Sequence, residues 1–200
     1  MKTFFFYSII FINIFFICSC SSSTEIGSEK MVQTSGDMPD WVKIPTNDDG
    51  EFIYITGELT KAKDRSFGIN QAYADGVRKL MNTMQNDVKT QSSLALRGAN
   101  MDEDDIGRFS EFAVGWISDT YKISGVQNPE NYWEKIEVKT YNGVTYHYSC
   151  FTLLKLSKQD YNNAIQGAYD NMRKKAREEN NKKAEETATN LIEKLNQNQE

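Results

Sequence analysis

The chain is poor in the residues that many enzymes and metal proteins place at their active sites. It has one histidine, His147, and three cysteines, of which Cys150 alone lies beyond the first 20 residues. A single thiol cannot form an internal disulfide, and one cysteine with one histidine cannot supply the four ligands of a structural zinc site. The sequence therefore predicts a domain that folds through its hydrophobic core, without a disulfide and without a metal.

Basic residues are outnumbered by acidic residues. Lys and Arg number 23 against 28 Asp and Glu, and the formal net charge is −5. Nucleic-acid binding rewards clustered Lys and Arg, so a nucleic-acid partner is not expected. The glycine-rich patterns of nucleotide-binding loops are absent, and no nucleophile motif surrounds His147. We therefore expect no enzyme and no cofactor, with a hydrolase that uses His147 as the weakest alternative.

The chain has an apolar run near its start, but the run is short. Residues 4–17 are fourteen mostly apolar residues, which suit the hydrophobic core of a signal peptide and are too few to cross a bilayer as a helix. Ile17-Cys18-Ser19-Cys20 closes this run, and the polar stretch Ser21–Thr24 follows. An aliphatic residue, two further residues and a cysteine in this setting resemble the lipobox of bacterial lipoproteins.

That resemblance implies a signal peptide over residues 1–19 and a lipid on the Cys20 sulfur, with diacylglycerol and usually a third acyl chain on the new amino terminus. Each long acyl chain adds on the order of 10 kcal/mol of gross membrane affinity. Ser21, standing where an aspartate often means retention in the inner membrane, points to the outer membrane. The alternatives are acylation of Cys18, or a secretory signal cleaved elsewhere with Cys20 an ordinary residue.

Beyond Cys20, residues 20–38 are rich in Ser, Thr, Glu and Gly and predict a flexible tether. Pro39-Asp40-Trp41 marks the expected start of the folded domain, and residues 52–57, rich in β-branched and aromatic side chains, predict a strand. Residues 64–91 predict a helix capped by Asp64 or Ser66, and residues 104–120 predict a second helix. Their apolar stripes are Ile69, Tyr73, Val77, Leu80, Met84 and Val88, then Ile106, Phe109, Ala113, Trp116 (or Ile117) and Thr120.

The acidic run 102–105 does not fit a calcium-binding EF-hand, because position twelve of the loop would be Ala113 where a glutamate is required. Acids at the amino terminus of the second helix complement the helix dipole, which is the simpler interpretation. Residues 90–101, ahead of this run, are expected to form a polar connection between the two helices.

The chain then changes to strand periodicity. Residues 121–126 predict a short strand, and Asn142-Gly143 between two alternating runs predicts a β-hairpin. Placing Tyr141 opposite Val144 gathers Ile136, Val138, Phe151 and Leu153 on one face, which we expect to pack under the helices. The other face gathers Tyr146, Tyr148 and Cys150 against charged stems, and is either solvated or a docking surface.

Residues 158–197 predict a long charged helix with a thin, alanine-rich apolar side. Because this side fails a strict heptad, a stable coiled coil is not expected. A solvated helix that protrudes or frays is the favoured interpretation, and Leu191, Ile192 and Leu195 near its end form a candidate partner contact.

Several short motifs occur in a familiar order: Pro39-Asp40-Trp41, a strand ending in Gly57, residues 123–126 (Ile-Ser-Gly-Val) and Tyr132-Trp133. This order resembles the Lpp-twenty lipoprotein family, itself similar to the amino-terminal domain of a flagellar T-ring-associated protein. Over residues 39–160 the resemblance implies a compact α+β domain at the outer membrane, and it carries no catalytic residues. The acidic run 102–105 and the charged helix after residue 160 fall outside the family's pattern.

The sequence thus predicts an α+β fold: two helices on one face of a small, mainly antiparallel sheet, followed by a long C-terminal helix over residues 161–200. The expected function is a lipid-anchored envelope protein, attached to the membrane through Cys20, that binds an envelope protein without catalysis. Tyr146 and Tyr148 are the candidate contacts in the domain. The alternative is a binding module for a small molecule or glycan, with an aromatic pocket around Trp41, Trp116 or Trp133.

Overall fold

The computed structural model describes residues 25–119 and 125–197, so Cys18, Cys20 and most of the strand predicted over residues 121–126 lie outside the described part. The described residues form an α+β fold with a five-stranded sheet and four α-helices, which confirms the predicted class. In chain order the elements are β1 Glu29–Thr34, a 3-10 helix Asp40–Lys43, β2 Thr46–Asp48, β3 Phe52–Ala62, α1 Arg65–Gly98, α2 Glu103–Asp119, β4 Gln127–Thr140, β5 Gly143–Ser157, α3 Lys158–Glu178 and α4 Lys182–Gln197.

The sheet is antiparallel throughout, with strand order β1-β4-β5-β3-β2. The predicted hairpin is present as β4 and β5, but its register differs from the predicted one. Thr140 pairs with Gly143 and Ile136 pairs with His147, so the turn residues are Tyr141 and Asn142. Gly143, at φ 121°, is the first residue of β5, and the Thr140 hydroxyl donates to its carbonyl at 2.9 Å.

The helices cover the opposite sheet face from the predicted one. Helix α1 lies over Cys150 and Leu154, whose side chains approach Gly68 and Gly76. Strand alternation therefore turns Phe151 away from α1, and the prediction that its face packs under the helices is wrong. The pattern misled because β5 is apolar on both faces, with the consecutive leucines 153 and 154 both buried.

Helix α1 begins as predicted, since the Asp64 carboxylate accepts from the Phe67 amide at 2.8 Å. It continues to Gly98, so the polar connection predicted over residues 90–101 is mostly helix. Its buried positions recur every four residues: Gly68, Ala72, Gly76, Leu80, Met84, Val88, Ser92 and Leu96. In its first turns the buried series lies one residue before the predicted stripe, because small residues are needed where the helix meets the sheet.

Helix α1 has 34 residues, is ~50 Å long and extends beyond the sheet. Its second half packs with α2, α3 and α4. Helix α2 buries Ile106, Phe109 and Ala113 of its predicted stripe, together with Ile117, which the pattern gave as the alternative to Trp116. Tyr161 of α3 donates a hydrogen bond to the Asp87 carboxylate of α1 and ties these two helices together.

The C-terminal segment packs instead of protruding, so the prediction of one solvated helix is wrong. The helix ends at Glu178, Asn180 adopts φ 56°, and α4 starts at Lys182. Asn181 caps α4 by accepting from the Ala184 amide at 3.1 Å, and it donates to Asp105 of α2 at 3.0 Å. The thin apolar side is a close-packing surface formed by Ala164, Ala168, Met172, Ala176, Ala184 and Ala188.

One continuous core joins the sheet to all four helices. It includes Ile55 and Leu154 from the sheet and Leu191 and Ile192 from α4. Residues 161–197 therefore belong to the same folded unit as the sheet, and the expected division at residue 160 is not a packing boundary.

The amino-terminal side also differs from expectation. Residues 29–34, predicted as part of the tether, form the edge strand β1 against β4. Among the described residues, no helix combines the length and the apolar character that crossing a bilayer requires.

The contact between α1 and β3 leaves no room for side chains. A Cβ at Gly57 would lie 2.0 Å from the Ala72 carbonyl oxygen and 2.6 Å from the Gly76 amide nitrogen. Since both are backbone atoms, the helix itself would have to move. We expect Gly57→Ala to lower the free energy of unfolding by about 3 kcal/mol or to prevent folding.

Gly107→Ala is the matched control, because Gly107 is helical and a Cβ there meets nothing within 4 Å. It should raise stability by about 0.5–1 kcal/mol. Urea unfolding followed by circular dichroism measures both variants. Equal stability of Gly57→Ala and the unchanged chain would contradict the close contact.

Candidate functional site

The structure separates the predicted contact residues into two places. Tyr146 and Tyr148 lie in β5, where Tyr148 pairs with Ala62 just before α1 begins. Leu191 lies beside Ala95 and Gly98, at the other end of α1. The two groups therefore lie at opposite ends of a helix of ~50 Å and cannot form one contact surface.

Leu191 and Ile192 are core residues. Their relative exposures are 9% and 8%, and both belong to the core cluster, with Leu195 packed against it. The interpretation of these three residues as a partner contact is therefore wrong, because α4 turns this side towards α1 and α3.

The tyrosine pair, by contrast, lies in a part of the sheet that no helix covers fully. Strand β3 pairs with β5 no further than Tyr148, and the hairpin continues past it through residues 143–147. Tyr146, Tyr148 and Lys135 lie on this free portion, and Trp133 of β4 and Arg65 of α1 lie beside it. We call these five residues the aromatic face. Sequence reasoning gave Trp133 only as a possible pocket residue and missed Arg65, whose signal was its position directly after the Asp64 cap of α1.

Ring contacts hold the aromatic face together. Trp133 and Tyr148 meet edge to face at 6.0 Å between ring centroids, and the Arg65 guanidinium lies 5.1 Å over the Trp133 ring. The Lys135 ammonium lies 4.4 Å over the Tyr146 ring. Such cation–π contacts keep long basic side chains against the rings and leave their charges near solvent.

Tyr146 is held in its neutral form. Its hydroxyl donates to the Glu137 carboxylate at 3.2 Å, and the negative charge of Glu137 raises the pKa of Tyr146 above its usual range. The aromatic face therefore presents phenol, indole and guanidinium groups, which are enriched at the centres of protein interfaces.

A small cavity lies on the other face of the sheet, lined by Trp41, Ile44, Asn47, Tyr54 and Leu153, with a volume of about 200 Å³. It is smaller than the pockets that usually hold drug-sized ligands. The Trp41 indole N–H donates to the Glu130 carboxylate at 2.7 Å, and the Trp41 carbonyl accepts from the Thr56 hydroxyl at 2.9 Å.

The three tryptophans do not meet in one pocket. Trp41 lines the cavity, Trp133 lies on the aromatic face, and Trp116 lies among the helices against Gly167. The expected aromatic pocket is therefore reduced to the Trp41 cavity.

The residues considered for catalysis are not brought together. His147 pairs with Ile136, and Cys150, three residues later on β5, points to the helix face under Gly68. Odd and even positions of a strand face opposite sides, so these two side chains cannot act as a base and nucleophile pair. Within the described ranges, no cluster of three or more His, Cys, Asp or Glu side chains could hold a metal ion.

The acidic run has a structural role that agrees with its predicted position. Asp102 accepts from the Asp105 amide at 2.9 Å, and Glu103 to Asp105 fill the first turn of α2. Glu103 pairs with Arg97 at 3.0 Å, which joins the end of α1 to the start of α2.

Cys150 is fully buried, and burial raises the pKa of its thiol from 9.0 to about 11. In a chain with Cys18 and Cys20 replaced by serine, we expect the folded thiol to react with a disulfide reagent at pH 8 at least about 100-fold more slowly than in urea.

Because the folded state binds the proton of the Cys150 thiol more tightly than the unfolded state does, the free energy of unfolding should also fall as the pH rises from 9 through 11.

Tyr141→Cys in the same background is the control, since this turn residue is 88% exposed and its thiol should react rapidly. Absorbance of the released thiolate measures both rates. Similar rates at positions 141 and 150 in the folded chain would contradict the burial of Cys150.

No protein-family model, curated protein sequence or solved structure matches this chain. The resemblance of residues 39–160 to the Lpp-twenty lipoprotein family therefore stays a prediction from its short motifs.

Proposed function

We propose that this protein is a lipid-anchored component of the bacterial cell envelope that binds another envelope protein and has no catalytic role. The observation that carries the proposal is the aromatic face. Trp133 and Tyr146 of the β4–β5 hairpin and Arg65 at the start of α1 remain at least partly exposed there. Side chains of these three types supply much of the binding energy in protein interfaces.

The membrane attachment is supported by the lipobox-like Ile17-Cys18-Ser19-Cys20 at the end of the apolar run. Two or three acyl chains on Cys20 would make the attachment effectively permanent. Ser21 after the lipidated cysteine favours the outer membrane. The antiparallel sheet with packed helices agrees with the compact α+β domain that the Lpp-twenty resemblance implies.

A second function is favoured by one specific observation, the Trp41 cavity. Trp41 and Tyr54 offer ring surfaces and Asn47 offers an amide, which together suit the apolar and polar sides of a sugar or another small molecule. Its volume of about 200 Å³ limits the ligand to a single small group. This makes it the weaker candidate.

The anchor is tested by Cys20→Ser with Cys18→Ser as its matched control. After growth with labelled palmitate, Cys18→Ser should keep the label and stay with the outer membrane. Cys20→Ser should lose the label, because the sulfur that accepts the lipid is gone. Label retained by Cys20→Ser but lost by Cys18→Ser would move the attachment to Cys18, and label on neither form would overturn the anchor.

Partner binding is tested by chemical cross-linking in intact cells, followed by purification of the tagged protein. Replacing Arg65 and Tyr146 by alanine removes exposed side chains of the aromatic face and should cut recovery of the main cross-linked envelope protein by about tenfold or more. Tyr73→Ala with Arg78→Ala is the matched control, since it removes the same two residue types from the exposed side of α1.

Equal recovery with both double variants would exclude the aromatic face as the contact. Capture of no envelope protein with the unchanged chain would contradict the proposed interaction, and ligand binding in the Trp41 cavity would become the leading candidate function.

A further inference from the structure

The chain joins the sheet at the free tip of the β4–β5 hairpin. The Gly27 amide donates to the Lys139 carbonyl at 2.8 Å, and the Lys139 amide donates to the Ser28 carbonyl at 3.2 Å. Glu29 then pairs with Val138, three residues before Tyr141 of the turn. Among the described residues, Gly27 is therefore the first that hydrogen-bonds to the sheet, beside the hairpin tip.

The segment from Cys20 to Gly27 is short. Seven residues span at most ~25 Å when fully extended. The far end of the sheet, where β5 ends at Ser157, lies ~46 Å from Gly143 along the strand. If Cys20 carries the lipid of the proposed function, the hairpin tip is held near the membrane and the far end is not.

The tip has the surface chemistry of a membrane contact. Tyr141 is 88% exposed, Val144 48% and Ile26 54%. No Asp, Glu, Lys or Arg occurs from Thr140 to Leu154. Tyrosine is enriched at the level of lipid headgroups because its ring is apolar and its hydroxyl is polar. Lys139, in the adjacent strand, can extend its ammonium to lipid phosphates.

The opposite end of the sheet is rich in carboxylates, since the turn between β2 and β3 contains Asp48, Asp49 and Glu51. Lys158 pairs with Asp48 there, and Glu25 and Glu29 are exposed beside the hairpin tip, so charge does not separate the two ends. The tether length and the exposed apolar side chains of the tip favour the orientation with the tip towards the membrane.

We propose that the tip of the β4–β5 hairpin, formed by Tyr141, Val144 and Ile26, lies in the headgroup layer of the membrane that holds Cys20. This inference rests on the lipid anchor of the proposed function. Three side chains bind a membrane weakly by themselves, but a covalent anchor ~25 Å away or less gives the tip a high effective concentration at the surface. The tip orients the domain, and the lipid retains it.

A consequence for the partner follows from this orientation. Tyr146 lies two residues from Val144 on the same strand, which is ~7 Å. The aromatic face is then held just outside the headgroup layer, with the helical end of the molecule projecting away. A protein that binds this face must itself lie against the membrane.

The test is spin labelling of the mature, lipidated protein in vesicles of phosphatidylethanolamine and phosphatidylglycerol. One label is placed at Tyr141→Cys and the matched control at Glu51→Cys, an exposed turn residue at the far end of the sheet. Cys150 is fully buried, so labelling at neutral pH is directed to the introduced thiol. Collision with a water-soluble nickel chelate, present on both sides of the bilayer, measures the exposure of each label.

We expect the label at position 141 to collide with the chelate at least about threefold less often than the label at position 51, because the packed headgroups and the apolar layer below them limit access of the water-soluble chelate. In a chain with Cys18 and Cys20 both replaced by serine, without vesicles, both labels should collide equally. The vesicles contain no other protein, so lipid alone can provide the shielding.

Equal collision at both positions in lipidated, vesicle-bound protein would overturn the tip inference and leave the anchor standing. If mass spectrometry shows that the mature protein carries no acyl chain on Cys20, the anchor is overturned, and the tip inference with it.

Discussion

The fold depends on the close contact of two backbones, that of α1 and that of β3. Gly57 in the strand faces Ala72 and Gly76 in the helix with no side chain between them. This contact selects which face of the sheet the helices cover. It also directs α1 along β3 and β5, so that its second half extends beyond the sheet.

The rest of the helical part follows from that extension. After Gly76 the buried side of α1 consists of large residues, Leu80, Met84, Val88 and Leu96, which other elements must cover. Helices α2, α3 and α4 bury it, and the small alanines of α3 and α4 allow close approach. The many charged residues of these two helices are thereby left on their outer sides.

The two ends of the molecule therefore differ in character. One end is a helical cluster with buried apolar residues and charged surfaces. The other end is a hairpin that extends past β3 and leaves tyrosine, tryptophan and arginine side chains partly uncovered. Because residue 27 is held beside the hairpin tip, the amino-terminal segment and the aromatic face lie at the same end. That coincidence links the predicted anchor to the candidate contact surface.

Local patterns in the sequence determined the elements whose signals are local. The Asp64 cap, the stripe of α2, the acidic first turn of that helix and the existence of the β4–β5 hairpin all follow from neighbouring residues, and the structure agrees with them, although it places the turn at Tyr141 and Asn142. The lipobox-like motif before Cys20 is likewise readable without any structure, and it stays a prediction.

The tertiary structure alone decided the features that depend on distant residues. Both faces of β5 are apolar, so alternation could not show which face α1 covers; the glycines of two separate elements decided it. The alanine stripe of α3 and α4 looked too thin to pack, and the large residues of α1, far earlier in the chain, supply what it lacks. The aromatic face appeared for the same reason: the tyrosines were visible in the sequence, whereas Arg65 and Trp133 join them only through strand pairing and the start of α1.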